Sequence, residues 1–154
     1  MKKGAILMAQ LQNECFYCSK NEHLFENRIF VKQMRCRILY LTKDQHYLGR
    51  CILAFDQHKR EVYDLTAQEL NSYSLDLVDA ARALQDVFHF DKLNYAVYGD
   101  EMPHLHIHLV PKYKQTSGWG HPFRLDQPKI YLEEDRYPLI VQSLQESLSR
   151  IMKD

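Results

Sequence analysis

His104-Leu105-His106-Ile107-His108-Leu109-Val110 alternates imidazole with aliphatic side chains. On an extended strand this places all three histidines on one face, ~6.6 Å apart in backbone rise, and the aliphatics on the other. The aliphatics then pack inward while the imidazoles meet a ligand. A helix face would repeat at three and four residues instead. Pro103 and Pro111 bracket the run, and proline is tolerated at a strand's end much better than in a central ladder.

Working outward, residues 92–98 read as a further strand joined to the histidine strand through Gly99-Asp100-Glu101-Met102-Pro103, which makes a hairpin. Upstream, Cys36-Arg37-Ile38-Leu39-Tyr40-Leu41 and Arg50-Cys51-Ile52-Leu53-Ala54-Phe55 flank a polar stretch with Lys43, Asp44, Gln45 and Gly49, a second antiparallel hairpin. Between the hairpins, Leu70, Tyr73, Leu77, Ala80, Ala81, Leu84 and Phe88 recur at helical spacing. Thr66 with Glu69 forms a capping box that starts this helix. A loop rich in Gly, Pro and aromatics spans 115–129, and residues 138–152 close the chain as an amphipathic helix with Leu139, Ile140, Leu144, Leu148 and Ile151. The first part, to about Arg35, holds a short helix at most, and residues 23–34 carry no clear pattern. The expected fold is α+β: an antiparallel sheet of about five strands with one long helix and a C-terminal helix, in a single domain over 1–154.

The 154 residues match one domain, of which roughly two-thirds of the unfolded surface can be buried. Apolar residues make up 45% and charged residues 26%, enough for a core. Lys+Arg and Asp+Glu balance at 20 each, so nothing argues for a nucleic-acid polymer or an anionic membrane, and a small-molecule partner is expected. The apolar patch near Met1-Lys2-Lys3 ends at Gln10, too early for a signal peptide, and no run approaches the ~18–20 apolar residues of a membrane span. The expected location is cytoplasmic, where four cysteines are thiols or metal ligands before they are disulfides.

Three chemistries suit the histidine row: metal ligation, general acid–base catalysis and nucleophilic catalysis. Imidazole, with an ordinary pKa of ~6.5, is largely neutral near pH 7 and attacks without a separate base. Attack at phosphorus forms a P–N bond that water later breaks, while neighbouring imidazoles donate to the developing charge.

The segment Gly99-Asp100-Glu101-Met102-Pro103-His104-Leu105-His106-Ile107-His108-Leu109-Val110-Pro111-Lys112 resembles the signature of the histidine triad (HIT) family of nucleotide hydrolases and transferases. The resemblance extends back through Leu39 to Leu41, Gly49, Ile52 to Ala54, His58, and Asp64-Leu65-Thr66 with Glu69-Leu70, covering roughly positions 15 to 114. It implies that His106 is the nucleophile, forming a nucleotidyl-histidine, that His108 helps hold the phosphate, and that the protein is a homodimer whose sheets join. The substrate implied is a nucleoside phosphoramidate or dinucleoside polyphosphate, cleaved at the α-phosphate. A nucleotide-binding or zinc-stabilised interaction module with little turnover is the alternative, and a catalytic zinc hydrolase a third.

Cys15-Phe16-Tyr17-Cys18 spaces two thiolates for one tetrahedral zinc, but the remaining ligands would have to come from the fold. In the zinc-containing branch of the family the matching ligands are Cys15, Cys18, His58 and His104, so the resemblance implies a structural zinc and metal-free catalysis. His23 and His46 compete as ligands, and two reduced thiols remain the plain alternative. Cys36 and Cys51 are read as buried apolar residues that face each other across the first hairpin.

Two positions depart from the family pattern. Asp100 stands where many members carry an amide that bonds a phosphate oxygen, either as a turn residue or as a charge suited to an amine leaving group. Thr42 stands where many have an acid that grips ribose, with Asp44 as a substitute. Tyr40 and Leu41 are candidates for the nucleoside pocket wall or simply core. Trp119, flanked by Gly118 and Gly120, could stack a base, pack on a partner subunit or cap a surface loop. Lys112, Lys114 and Arg124 are candidate phosphate contacts or solvated charges.

Overall fold

The computed structural model describes residues 15–153. Among the described residues four helices and five strands follow in the order α1 (Phe16–Ser19), α2 (Glu22–Asn27), β1 (Arg28–Gln33), β2 (Arg37–Thr42), β3 (Cys51–Phe55), α3 (Ala67–Phe88), β4 (Lys92–Ala96), β5 (His106–Lys112) and α4 (Arg136–Ile151), with a 3₁₀ turn at Val62–Asp64. The strands form one antiparallel sheet in the order β1-β2-β3-β5-β4, so the fold is α+β as expected.

The period of two along each strand sorts the side chains into two clusters. Leu39, Leu41, Cys51, Leu53, Ile107 and Leu109 face α3 and α4, where they meet Tyr73, Ala80, Ala83, Leu84, Leu144 and Leu148. The opposite face presents Ile38, Tyr40, Ile52 and Ala54, covered by Cys15, Tyr17 and Leu24 of the α1–α2 segment. Covering both faces explains why β2, β3 and β5 are buried throughout.

Helix α3 starts where its capping box requires: Thr66 Oγ1 accepts from Glu69 N, and the Glu69 carboxylate accepts from Thr66 N. Its buried face includes Asp76 and Asp79, whereas Leu70 is 43% exposed. Asp76 accepts from the backbone N–H groups of Arg35 and Cys36, and both carboxylates receive the Arg35 guanidinium, which ties α3 to the β1–β2 turn.

Several sequence expectations shift. The patternless segment is the end of α2 and edge strand β1, of which only Val31 is buried. The fourth strand stops at Ala96 and the fifth starts at His106, leaving His104 in the connection; Pro111 lies inside β5. It is harmless there, because β3 pairs with β5 only as far as Cys51 opposite Leu109. Cys51 sits opposite Leu41 while Arg37 sits opposite Phe55, so Cys36 and Cys51 lie at opposite ends of the hairpin and do not face each other. No helix among the described residues is long and apolar enough to cross a membrane. The patch at Met1 to Gln10 lies outside the described residues.

Candidate active site and metal cluster

Strand β5 carries His106 opposite Ala54 and His108 opposite Ile52, so both imidazoles stand on the α1–α2 face of the sheet. Both line a cleft of about 1070 Å³. His106 Nδ1 lies 2.6 Å from the His104 carbonyl. A carbonyl only accepts, so Nδ1 carries the proton and Nε2 keeps its lone pair. Arg50 Nη2 lies 3.3 Å from His108 Nδ1. A guanidinium only donates, so His108 Nδ1 is the acceptor and Nε2 carries the proton. The two rings are thus set in opposite tautomers, one with a free lone pair and one with a free donor.

Burial also keeps these rings neutral. It lowers the pKa of His106 below the usual imidazole value, the His104 carbonyl opposing and the Arg28 and Arg50 charges assisting. It pushes His108 down to about 3, with Arg50 the next cause. Tyr98 and Phe123 flank His108, each with ring centroids 5.6 Å away, and Tyr17 lies 5.3 Å from the His106 ring.

Behind the cleft, the single turn of α1 brings the two N-terminal thiols to one side, Ser19 N and Cys18 N both donating to the Cys15 carbonyl. Cys15 Sγ and Cys18 Sγ lie 3.3 and 3.5 Å from His104 Nδ1, and Cys18 Sγ lies 3.3 Å from His58 Nδ1. All four ligand atoms fall within 4.8 Å of one another. Tetrahedral zinc, with Zn–S about 2.3 Å and Zn–N about 2.0–2.1 Å, needs ligand atoms roughly 3.3–3.8 Å apart. The residues therefore fit a metal ion. His104 Nε2–H donates to the Phe55 carbonyl at 2.8 Å, which turns its Nδ1 lone pair onto the thiols. Burial and the adjacent Cys15 push the Cys18 thiol up to about 12, so it becomes a thiolate only where a cation displaces its proton. His23 pairs with Glu26 on the surface and His46 with the Pro128 carbonyl, so neither competes for this cluster.

Of the five residues expected against substrate, only Asp100 lines the histidine cleft. Leu41 points into the helix-side core, and Tyr40 is 1% exposed beneath Tyr17. Thr42 is buried, its hydroxyl donating to the carbonyls of Asp44 and Arg50. Asp44 is occupied by the backbone N–H groups of His46 and Ile130. Trp119 lines a separate pocket of about 720 Å³ on the far side of Tyr98 and Phe123, which border both. Lys112 donates to the His121 carbonyl and Lys114 pairs with Asp91, while Arg124 reaches the cleft rim paired with Asp126. Conversely, Arg28 and Arg50 line the cleft with no forewarning, because a lone arginine at a strand end carries no periodic signal.

The family model for the HIT domain matches residues 26–115, more than half of the chain. The chain belongs to the HIT family. A histidine triad protein from Bradyrhizobium japonicum matches this HIT chain with a TM-score of 0.76 at 20% identity, over 83% of this chain and 96% of that one. A Zn-bound histidine triad family protein from Mycobacterium smegmatis matches with a TM-score of 0.63 at 17% identity, over 92% and 98%. The diadenosine triphosphate hydrolase of Plasmodium falciparum, in complex with cyclomarin A, matches with a TM-score of 0.53 at 14% identity, over 81% and 77%. At these identities the likeness is one of fold. Among curated proteins none matches significantly.

Proposed function

We propose that this HIT protein is a nucleotide hydrolase or nucleotidyl transferase acting through a covalent intermediate on His106. The observation that carries this is the 2.6 Å bond from His106 Nδ1–H to the His104 carbonyl, which leaves the Nε2 lone pair of a neutral ring at the cleft. Nε2 attacks the α-phosphorus, the new P–N bond forms as the bond to the leaving group breaks, and water then cleaves P–N to release the nucleoside monophosphate. His108 Nε2–H donates to a non-bridging oxygen without needing to be protonated. The substrate is a nucleoside phosphoramidate or a dinucleoside polyphosphate. Support for the nucleotide comes from family membership and from the likeness to a diadenosine triphosphate hydrolase.

A structural zinc on Cys15, Cys18, His58 and His104 fits the four donors, and closing the site with protein ligands keeps it out of the reaction. A homodimer accounts for edge strand β4, where Tyr95 is 53% exposed beside a groove formed by Leu77, Val78, Ala81 and Phe90, and for Val97 just past the strand's end, 46% exposed. A paired edge would bury that face.

The test is steady-state hydrolysis of an adenosine phosphoramidate and of diadenosine tetraphosphate by wild type and His106→Ala, with acid-quench capture of labelled adenylate on the protein. Turnover and labelling that both vanish in His106→Ala support the reading. Turnover that survives the substitution, or no turnover of either compound, rejects it.

A further inference from the structure

Arg28 opens β1, and its partner across the ladder is Thr42 of β2. Thr42 N in turn donates to the carbonyl of Arg50, the residue before β3, so Arg28, Thr42 and Arg50 form one row across the sheet. Both arginines line the same cleft as His106 and His108. Thr42 stands between them in the row, its hydroxyl turned to backbone carbonyls.

This pair is rich in donors and poor in acceptors. Arg50 is 8% exposed, and its Nε is buried with no hydrogen-bond partner. One amino group donates to His108, and the other reaches Asp44 only at 3.5 Å. The Arg28 guanidinium stands 4.9 Å from the Phe16 ring centroid and 5.2 Å from that of Tyr17, faces that fix its plane but accept few N–H bonds. Its Nε is likewise buried without a partner, and among the described residues no carboxylate lies within ion-pair distance of it. Burial lowers the Arg50 pKa, the Asp44 charge opposes this and the Arg28 charge adds to it, so the two arginines repel. Buried guanidinium donors left unmade are costly, and two like charges facing one cleft raise that cost. An anion with several oxygens removes both penalties, since a guanidinium fork fits phosphate oxygens two at a time.

Four carboxylates also line the cleft: Glu26 of α2, beside His23, Asp126, which holds Arg124, and the pair Asp100 and Glu101. Asp100 and Glu101 sit in the β4–β5 connection, across the sheet from β1. Arg28 and Arg50 thus stand on the β1–β3 side of the histidines, opposite the pair Asp100 and Glu101.

We infer that Arg28 and Arg50 form a subsite for a second phosphoryl group, next to the one His106 attacks, and that the preferred substrates are nucleotides with a phosphoanhydride. This rests on the nucleotide reading above and narrows it. A phosphoramidate, with one phosphoryl group, leaves the subsite empty. In a polyphosphate the chain leads away from Asp100 towards the arginines, so the carboxylate at that position does not oppose it.

The test uses zinc-loaded His106→Ala, in which turnover is blocked, and titrates AMP and ADP by calorimetry without magnesium. ADP should bind roughly tenfold or more tighter than AMP, the worth of one charge-assisted contact set. Arg28→Met should collapse the ADP-to-AMP ratio to below about threefold, and Arg28→Lys, which keeps the charge but loses the fork, should restore part of it. Equal affinity for AMP and ADP in the parent, or a ratio untouched by Arg28→Met, overturns the subsite. Should Arg28→Met not fold, a ratio unchanged in Arg28→Lys overturns it as well. A preserved ADP preference with no labelling of wild-type His106 would reject the hydrolase reading and leave the subsite standing; labelling without the preference would do the reverse. No binding of either nucleotide would reject both.

Discussion

His108 is kept neutral by burial first and by the Arg50 guanidinium second, and that choice has a thermodynamic consequence. The unfolded chain titrates this ring near 6.5, the folded one at about 3. Below pH 6.5 the unfolded state binds a proton that the folded state refuses, so the contribution is fully present above that pH and is lost as pH falls towards the folded value. The slope is at most about 1.4 kcal/mol per pH unit. His108→Gln, which retains an amide to meet Arg50, should therefore lose roughly 2 kcal/mol less than wild type between pH 7 and 5, measured by urea unfolding at both values. Parallel losses in the two proteins would show that His108 is not the group responsible. The histidines were legible in the sequence because imidazole and aliphatic alternate without a break, and a strand is the only element with that period. Arg28 and Arg50 were not. They lie far apart in the chain and become neighbours only through the β1–β2–β3 register. Tyr40 and Thr42 were misread because their places along β2 do lie on the histidine face, but Tyr17 covers one and the turn captures the other.

At the scale of elements, helix α3 was placed correctly by its capping box and its apolar face by periodicity, Leu70 apart, but periodicity ignores polar residues that find partners. Asp76 is 0% exposed and holds three donors of the β1–β2 turn. Asp76→Ala strands those donors and should cost about 2–4 kcal/mol of unfolding free energy. Leu70→Ala, at a half-exposed position that periodicity alone assigns to the core, should cost less than about 1 kcal/mol. Denaturant unfolding of the two variants side by side settles the point, and equal costs would mean that Asp76 is dispensable. Where α3 ends, Gly49 adopts φ 86°, and a Cβ there would stand 2.8 Å from the Phe88 ring. Gly49→Ala should thus lose roughly 1–3 kcal/mol through backbone strain and displacement of Phe88, whereas an unchanged unfolding midpoint would mean that the ring yields freely. Strand β1 escaped the sequence because edge strands bury little: Val31 alone is covered, so no alternation could show.

At the scale of the molecule, the two faces of the sheet are held by different means. The helix side has a broad apolar cluster reaching from Val31 to Leu148. On the site side, among the described residues, Cys15, Tyr17 and Leu24 lie over Ile38, Tyr40, Ile52 and Ala54 with Phe16, Cys18 and Met102 beside them, and this cluster supports the cleft: Tyr17 packs on His106, and Phe16 and Tyr17 stack under Arg28. The four ligand atoms around Cys15 and His104 tie this covering segment to the sheet when metal fills them. Because His104 stands two residues before His106, whose ring bonds its carbonyl, the same tether fixes the His106 tautomer. The purified protein should therefore carry one zinc per chain, measured by mass spectrometry of the metal. Chelation, or Cys15→Ser with Cys18→Ser, should lower the thermal midpoint by roughly 10 °C or more, in keeping with the loss of several kcal/mol of binding energy. Turnover should fall in step with the loss of α1–α2 packing and return when zinc is restored to the chelated protein. A protein isolated without metal, or one whose midpoint ignores chelation, would leave the two thiols as ordinary buried side chains. Turnover that vanished on chelation with the fold and midpoint intact would instead move the metal from scaffold to chemistry.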